Sequence, residues 1–198
     1  MTAIVLAGGR SRRLGRNKAI ELFGGKPLIQ HVIDSVSQLD DDIVVVAAPK
    51  SQLPKLDPRV RIVNDCYPLG GALVGILTGL KASRSKYSLA VACDMPFLNN
   101  DLIRYLMSVS RGFDAIIPRI GKMIEPLHAV YSRNCIDAIQ AQIESGNLKI
   151  SAALDKANVR YVERDEIERY DPKHLSFINI NSEEDLKKAK AMMEKAMR

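Results

Sequence analysis

The sequence predicts a three-layer α/β fold, with helices on both faces of a mostly parallel central sheet. Short apolar runs alternate with longer amphipathic segments along most of the 198 residues, which is the pattern of strands joined by crossover helices. The run 43–48 is continuously apolar and rich in valine, as a strand covered on both faces requires. No internal repeat, low-complexity stretch or Gly/Ser/Pro linker divides the chain. A single domain over 1–198 is therefore expected, a length that suits one full core.

The elements follow in order. Residues 3–7 form the first strand. Pro27 opens a helix through Gln38, with Leu28, Ile29, Val32, Ile33 and Val36 at helical spacing. Residues 43–48 and 61–64 are the second and third strands, and 71–81 is a helix behind a glycine-rich turn. A fourth strand covers 88–93, and the polar pair Asn99-Asn100 precedes a helix over 101–109. Residues 113–118 and 125–131 are further strands. Ser132 is expected to cap a helix that stops at Gly146, followed by a short helix over 150–157. The polar stretch 158–175 reads as an irregular peripheral excursion. Residues 177–180 form a late strand whose alternation sends Asn179 and Asn181 to one side. Ser182-Glu183-Glu184-Asp185 resembles a capping box for the last helix.

Composition narrows the function classes. Hydrophobic residues make up 46% and charged residues 26%, an ordinary globular balance. No apolar run reaches the roughly 18 residues of a membrane helix, and the chain enters its first strand without the layout of a signal peptide. Cys66, Cys93 and Cys135 are too few and too scattered for a disulfide framework or a zinc site. They read as buried thiols, and a reducing, cytoplasmic location is expected. The net charge of +6 suits either nucleic acid or small anions. Arg10, Arg12, Arg13, Arg16 and Lys18 fall within nine residues, which favours a local anion site. The basic stretch 187–195 reads as the solvated side of a terminal helix. With no Trp and four Phe there is no aromatic platform, so neither nucleic acid nor membrane is an expected partner.

In such a fold, ligands bind outside the carboxyl ends of the strands. After the first strand, Gly8-Gly9 allows a sharp turn and close backbone approach, so that N–H groups face phosphate oxygens. The arginines add charge-assisted bonds, and Lys18 supplies a compact cation. Gly15 and Lys18 are not adjacent, so this is no P-loop, and the dinucleotide spacing is absent too. After the third strand comes Asp65, then a second glycine-rich turn, Gly70-Gly71, leading to Gly75. That turn reads equally as backbone donors for a ligand or as small residues packed under the sheet. Asp94 ends the fourth strand, where a carboxylate can hold Mg²⁺ beside a phosphate or merely shape a turn. His128 reads as a substrate contact or as a histidine satisfied within the sheet; His31 and His174 receive no role. Asn179 and Asn181 can meet a ligand or cap the following helix.

Taken together these segments resemble the MobA-type nucleotidyltransferases, and most closely their guanylyl-transferring branch. The pattern L-A-G-G-x-x-x-R-M-G-x-x-K is present from Leu6 to Lys18, with Leu14 in place of Met, and Gly25-Lys26-Pro27-Leu28 continues it. Asp65…Tyr67-Pro68-Leu69-Gly70-Gly71-Ala72-Leu73-Val74-Gly75 matches D…Y-P-G-P-L-A-G, with Ala72 replacing the usual proline. Cys93-Asp94-Met95-Pro96 matches C-D-x-P, and Asn179 to Leu186 matches the closing N-x-N-T-P-E-E/D-L. The matches lie in order and span nearly the whole chain.

The resemblance implies a Rossmann-like nucleotidyltransferase fold and a reaction: GMP passes from GTP to molybdopterin, with or without molybdenum, and pyrophosphate leaves. It implies Mg²⁺ on Asp94 and nucleotide contacts at Leu6, Ala7, Gly8, Gly9, Lys18, Asp65 and Asp94. Lys18 and Arg13 become the catalytic cations. Gly71, Gly75, Asn179 and Asn181 fall on the acceptor side or in the metal shell. Transient contact with other proteins of molybdenum cofactor synthesis is expected. Ala47-Ala48 stands where the family often has a base-contacting asparagine, whereas Asn179 and Asn181 stand where the cytidylyl relatives tend to carry aspartates. The second feature favours GTP over CTP. A related transferase using CTP or another phosphorylated acceptor, and a non-catalytic nucleotide-binding module, are the alternatives.

Overall fold

The computed structural model of the chain describes residues 1–8, 17–40, 42–65, 67 and 70–196. Strand β1 (Thr2–Leu6) is followed by a 3₁₀ turn (Lys18–Ile20), a small hairpin of β2 (Leu22–Phe23) and β3 (Lys26–Pro27), and helix α1 (Leu28–Val36). Next come β4 (Ile43–Ala47), β5 (Arg61–Asn64), α2 (Ala72–Ala82), β6 (Tyr87–Ala92) and α3 (Asn100–Ser108). The chain continues through β7 (Ala115–Ile120), β8 (Met123–Ile124), β9 (His128–Ser132), α4 (Cys135–Glu144) and α5 (Ile150–Leu154). It closes with β10 (Val159–Val162), α6 (Arg164–Ile167), a 3₁₀ turn (Leu175–Phe177) and α7 (Glu183–Ala196).

The main sheet runs β10-β7-β9-β6-β1-β4-β5, with β8 folded back on β7. Strands β5, β4, β1 and β6 are parallel to one another, while β9 lies antiparallel to both β6 and β7. Every residue of β4 is buried, as its unbroken apolar run requires.

The side chains of β1 alternate between two cores. Ala3 and Val5 pack with Ile29 and Val32 of α1 and Leu102 and Leu106 of α3. Ile4 and Leu6 pack with Leu73 and Leu77 of α2 and Ile139 of α4. Those are the two outer layers. Helix α2 approaches β1 closely because it carries two glycines: a Cβ on Gly79 would stand 2.3 Å from Ile4 Cγ2, and one on Gly75 3.0 Å from Leu6 Cδ2. A third, small core joins Phe23 and Leu28 to Ile180, Leu186 and Ala189. It docks the hairpin and α7 together at the carboxyl edge of the sheet.

Four expectations are corrected. Residues 177–180 form no strand: a 3₁₀ turn occupies Leu175–Phe177, and the extended segment after it is tied to the sheet region by a backbone bond from Ile180 N–H to the Asp94 carbonyl at 2.9 Å. Residues 158–175 are not irregular throughout, since β10 pairs in parallel with β7 and α6 follows it. The polar Val-Arg-Tyr-Val pattern hid an edge strand, which needs only one buried residue, Val162. Ser132 ends β9 rather than capping α4, whose N-cap position is Asn134. The helix expected over 150–157 stops at Leu154. The proposed cap at Ser182 is present: its hydroxyl accepts from Asp185 N–H at 3.1 Å and donates to Asp185 Oδ2 at 2.8 Å.

Candidate functional site

After β1 the chain moves through β4 to β5, then returns to the other side of β1 to form β6. This reversal of strand order opens a crevice at the carboxyl ends, where the diverging connections leave room for a ligand. A cleft of about 260 Å³ lies there, floored by Leu6, Val46 and Ala92.

Lys18 enters the cleft from the 3₁₀ turn. Asn17 caps that turn: its side-chain oxygen accepts from Ala19 N–H at 3.1 Å, and its amide donates to the Gln52 carbonyl. The turn is thereby tied to the loop after β4. Asp94 arrives from the opposite side, where Cys93 N–H bonds the Leu6 carbonyl at 3.1 Å and extends the β1–β6 pairing past the strand end. Lys18 Nζ lies 2.6 Å from Asp94 Oδ2 and also donates to Asn181 Oδ1. The two charged side chains retain 16% and 9% of their exposure, so the pair is largely withdrawn from water yet open toward the cleft.

Asp65 follows β5, with its N–H bonded to the Ala47 carbonyl at 3.0 Å. Burial raises the pKa of this carboxyl, and Oδ1 has no hydrogen-bond partner among the described residues. A Cβ on Gly8 would stand 3.5 Å from Asp65 Oδ2 and from Ala48 N, so the Gly8 backbone runs close beside the carboxylate. Gly70 and Gly71 have φ of +60° and +103°, a region that side-chain-bearing residues rarely adopt. Gly71 occupies the N-cap of α2 and offers no side-chain bond. The opening N–H groups of α2 thus remain unmatched within the helix, at a cleft wall formed by Gly71, Ala72 and Gly75.

Leu6, Ala7, Gly8, Lys18, Asp65, Gly71, Gly75, Asp94, Asn179 and Asn181 all line this one cleft. Gly9 and Arg13, with the other arginines of the first loop, lie outside the described residues. Gly75 also has a packing reason, its contact with Leu6. His128 does not line the cleft. It is fully buried in β9, edge-on to Phe177 at 5.1 Å, with neither ring nitrogen partnered among the described residues. It is thus neither satisfied within the sheet nor placed in this cleft. Its neighbour Leu127 reaches the cleft instead. Cys93 and Cys135 are buried free thiols, as expected, and burial pushes the Cys93 thiol up to about 12.

Sequence reasoning missed Leu127, Val46, Ala92 and Asn17 as cleft residues. The first three are apolar and carry no chemical signal. Asn17 sits inside the first motif beside Lys18, and a short polar residue before a turn was its available signal. Among the described residues, no three His, Cys, Asp or Glu side chains gather into a metal cage, and no helix is long and apolar enough to cross a membrane.

Comparison with known proteins agrees with this architecture. Residues 3–159 match the family model described as a MobA-like NTP transferase domain. A protein of Desulfosudis oleivorans named molybdenum cofactor guanylyltransferase is 37% identical over 193 residues, covering 96% of this chain and 95% of its own. A probable enzyme of that name from Methanosarcina mazei is also 37% identical, over 93% of this chain and 88% of its own. The crystal structure of molybdopterin-guanine dinucleotide biosynthesis protein A from Archaeoglobus fulgidus superposes with a TM-score of 0.87 at 31% identity, covering 98% of this chain and all of that one. Seen against these matches and the cleft at the strand reversal, the chain belongs to the MobA-like NTP transferase family.

Proposed function

We propose that this protein transfers GMP from GTP to the terminal phosphate of a molybdopterin, with or without molybdenum, and releases pyrophosphate. The observation that carries the reading is the Lys18–Asp94 pair, set at the strand reversal in a cleft with glycine-rich walls. The names of the full-length relatives supply the nucleotide and the acceptor.

The acceptor already carries an anionic phosphate, so its attack on the α-phosphorus needs no strong base. A new P–O bond forms while the bond between the α-phosphorus and the bridging oxygen breaks, and pyrophosphate leaves with that electron pair. The barrier is repulsion between anions plus the cost of alignment. Lys18 offsets the charge that gathers around the α-phosphorus, aided by Arg13. Leu6, Ala7, Gly8 and Gly9 bring backbone donors to the triphosphate, and Asp65 accepts from the nucleoside. Gly71, Gly75 and Asn179 border the acceptor.

Mg²⁺ fits the donor set. Asp94 already holds a cation, the Lys18 ammonium, and the Asp65 carboxyl, whose Oδ1 has no hydrogen-bond partner among the described residues, adds negative potential to the cleft. One carboxylate, phosphate oxygens and water make a favourable shell for this ion, which favours such mixed sites. When bound to Asp94, it would neutralise phosphate charge. The reading extends to a cytoplasmic setting and to transient contact with proteins that make or receive the cofactor.

The test is pyrophosphate release on incubation with molybdopterin, Mg²⁺ and each nucleoside triphosphate in turn. Release with GTP alone supports the proposal. Release with CTP alone would move the protein to the cytidylyl branch, and release with none would remove the acceptor from the account.

A further inference from the structure

Among the described residues, Lys18 donates to two acceptors that differ in what a cation would do to them. Asp94 Oδ2 belongs to a carboxylate, the group here that would hold a divalent cation. Asn181 Oδ1 is a neutral amide oxygen, a far weaker magnesium ligand. Asn181 is also fixed in place by its own surroundings. Its backbone N–H donates to Asp185 Oδ2 at 3.0 Å, within the capping network of α7. Ile180, just before it, is fully buried and bonds the Asp94 carbonyl at 2.9 Å. The cap of the last helix therefore anchors the residue whose amide oxygen accepts from the ammonium.

We infer that Asn181 is the positioning residue for Lys18, keeping the ammonium at the reaction centre when Asp94 is taken by a divalent cation. An ammonium has three donors. With Asp94 engaged elsewhere, Asn181 retains one and directs the other two toward phosphate oxygens. Without Asn181, a lysine released from Asp94 has a flexible four-carbon stem and no fixed acceptor among the described residues, and it swings out of alignment. The function of Asn181 is then to the lysine and not to the acceptor pterin. The inference rests on the proposed transfer reaction for its meaning, but its main test requires no turnover.

That test is the rate at which Lys18 of the full chain is modified by an amine-reactive ester, read by peptide mass spectrometry, across a cycle of Asp94→Ala, Asn181→Ala and the double variant. Removing Asp94 imitates its capture by a cation. Lys18 in Asp94→Ala is expected to react within about twofold of wild type, and in the double variant about tenfold faster, the non-additivity of groups that share one partner. Asn181→Asp in the Asp94→Ala background keeps an acceptor oxygen and is expected to restore protection. Circular dichroism of each variant establishes that it is folded. Asp94→Ala alone reacting as fast as the double variant would overturn the inference, as would failure of Asn181→Asp to protect. In the Mg²⁺-loaded enzyme, Asn181→Ala is expected to lower kcat about tenfold or more with the KM for GTP and for the acceptor within about twofold. A selective rise in the acceptor KM would instead return Asn181 to the acceptor side. If the wild-type protein transferred no GMP, the proposed function would fail while the modification pattern still judged the role of Asn181.

Discussion

The ammonium of Lys18 stands 2.6 Å from the carboxylate of Asp94, although 76 positions separate them in the chain. The sheet makes this contact: β1 and β6 are adjacent and parallel, with Leu6 opposite Ala92, so the loops after both strands open at one edge. The pair unites a cation suited to phosphate with a carboxylate suited to a metal ion. The proposed chemistry follows from their meeting.

Lys18→Ala is expected to lower kcat by about 10²–10³, the usual loss when one preorganised donor to a transition state is removed. The KM for GTP should change far less. Since Asp94 remains beside Asn181 and open to the cleft, thermal unfolding should show a folded protein. Near-normal turnover in a steady-state assay would remove Lys18 from the mechanism.

Asp94→Ala should abolish Mg²⁺-dependent turnover. Titrating activity against Mg²⁺ checks it: a variant with an unchanged metal dependence would place the ion elsewhere.

Asp65→Asn should raise the KM for GTP about tenfold, as expected when a charged acceptor is replaced by a neutral amide. Burial already disfavours the charged carboxylate, and its Oδ1 has no partner among the described residues, so the same variant should unfold at an equal or higher temperature than wild type at neutral pH. A clear loss of thermal stability would mean that the carboxylate holds the fold together.

His128 gives a pH prediction. Burial holds its pKa at about 4, below the ordinary 6.5. A depressed histidine pKa means that the unfolded chain binds the proton first as pH falls. Its contribution is therefore fully present above pH ~6.5 and declines toward pH ~4, by an amount on the order of 3 kcal/mol at most. His128→Phe keeps the aromatic contact with Phe177 and removes two nitrogens that have no partner among the described residues. Urea denaturation across that window should lose most of its acid slope in the variant. An unchanged slope would assign the acid sensitivity to other groups.

Gly79→Ala should destabilise the protein by about 1–3 kcal/mol, the range for overpacking a tight core. The added Cβ meets Ile4 in β1 at 2.3 Å, and neither the central strand nor the helix can give way without disturbing its core. Chemical denaturation measures it, and a neutral result would show that α2 can lift off the sheet freely.

The central sheet was legible because its strands are buried on both faces. Runs such as Ile43–Ala47 admit little but a buried strand of this length. The edges were harder. β10 needs only part of its surface covered and reads as polar, so its pairing with β7 depends on contacts that no local pattern encodes. The opposite error occurred at 177–180, where Phe-Ile-Asn-Ile alternates like a strand. Its periodicity comes from the small core around Ile180 on one side and the cleft on the other. Asn179 and Asn181 do face the cleft while Ile180 packs into the small core, but without a strand. In the site, charged and glycine positions were legible because phosphate chemistry restricts them. The role of Gly79, the exclusion of His128 and the hold of Asn181 on Lys18 depend on packing across distant segments.

The most direct measurement follows the α-phosphate itself. GTP carrying a labelled α-phosphate is mixed with the protein, Mg²⁺ and molybdopterin, and the products are separated and weighed by mass spectrometry. The expected result is label in a pterin product heavier by one guanylyl group (GMP less one water), formed in step with pyrophosphate, and absent with Lys18→Ala or Asp94→Ala over the same interval. Label that stays in GTP, or a product formed at the wild-type rate by both variants, would contradict it.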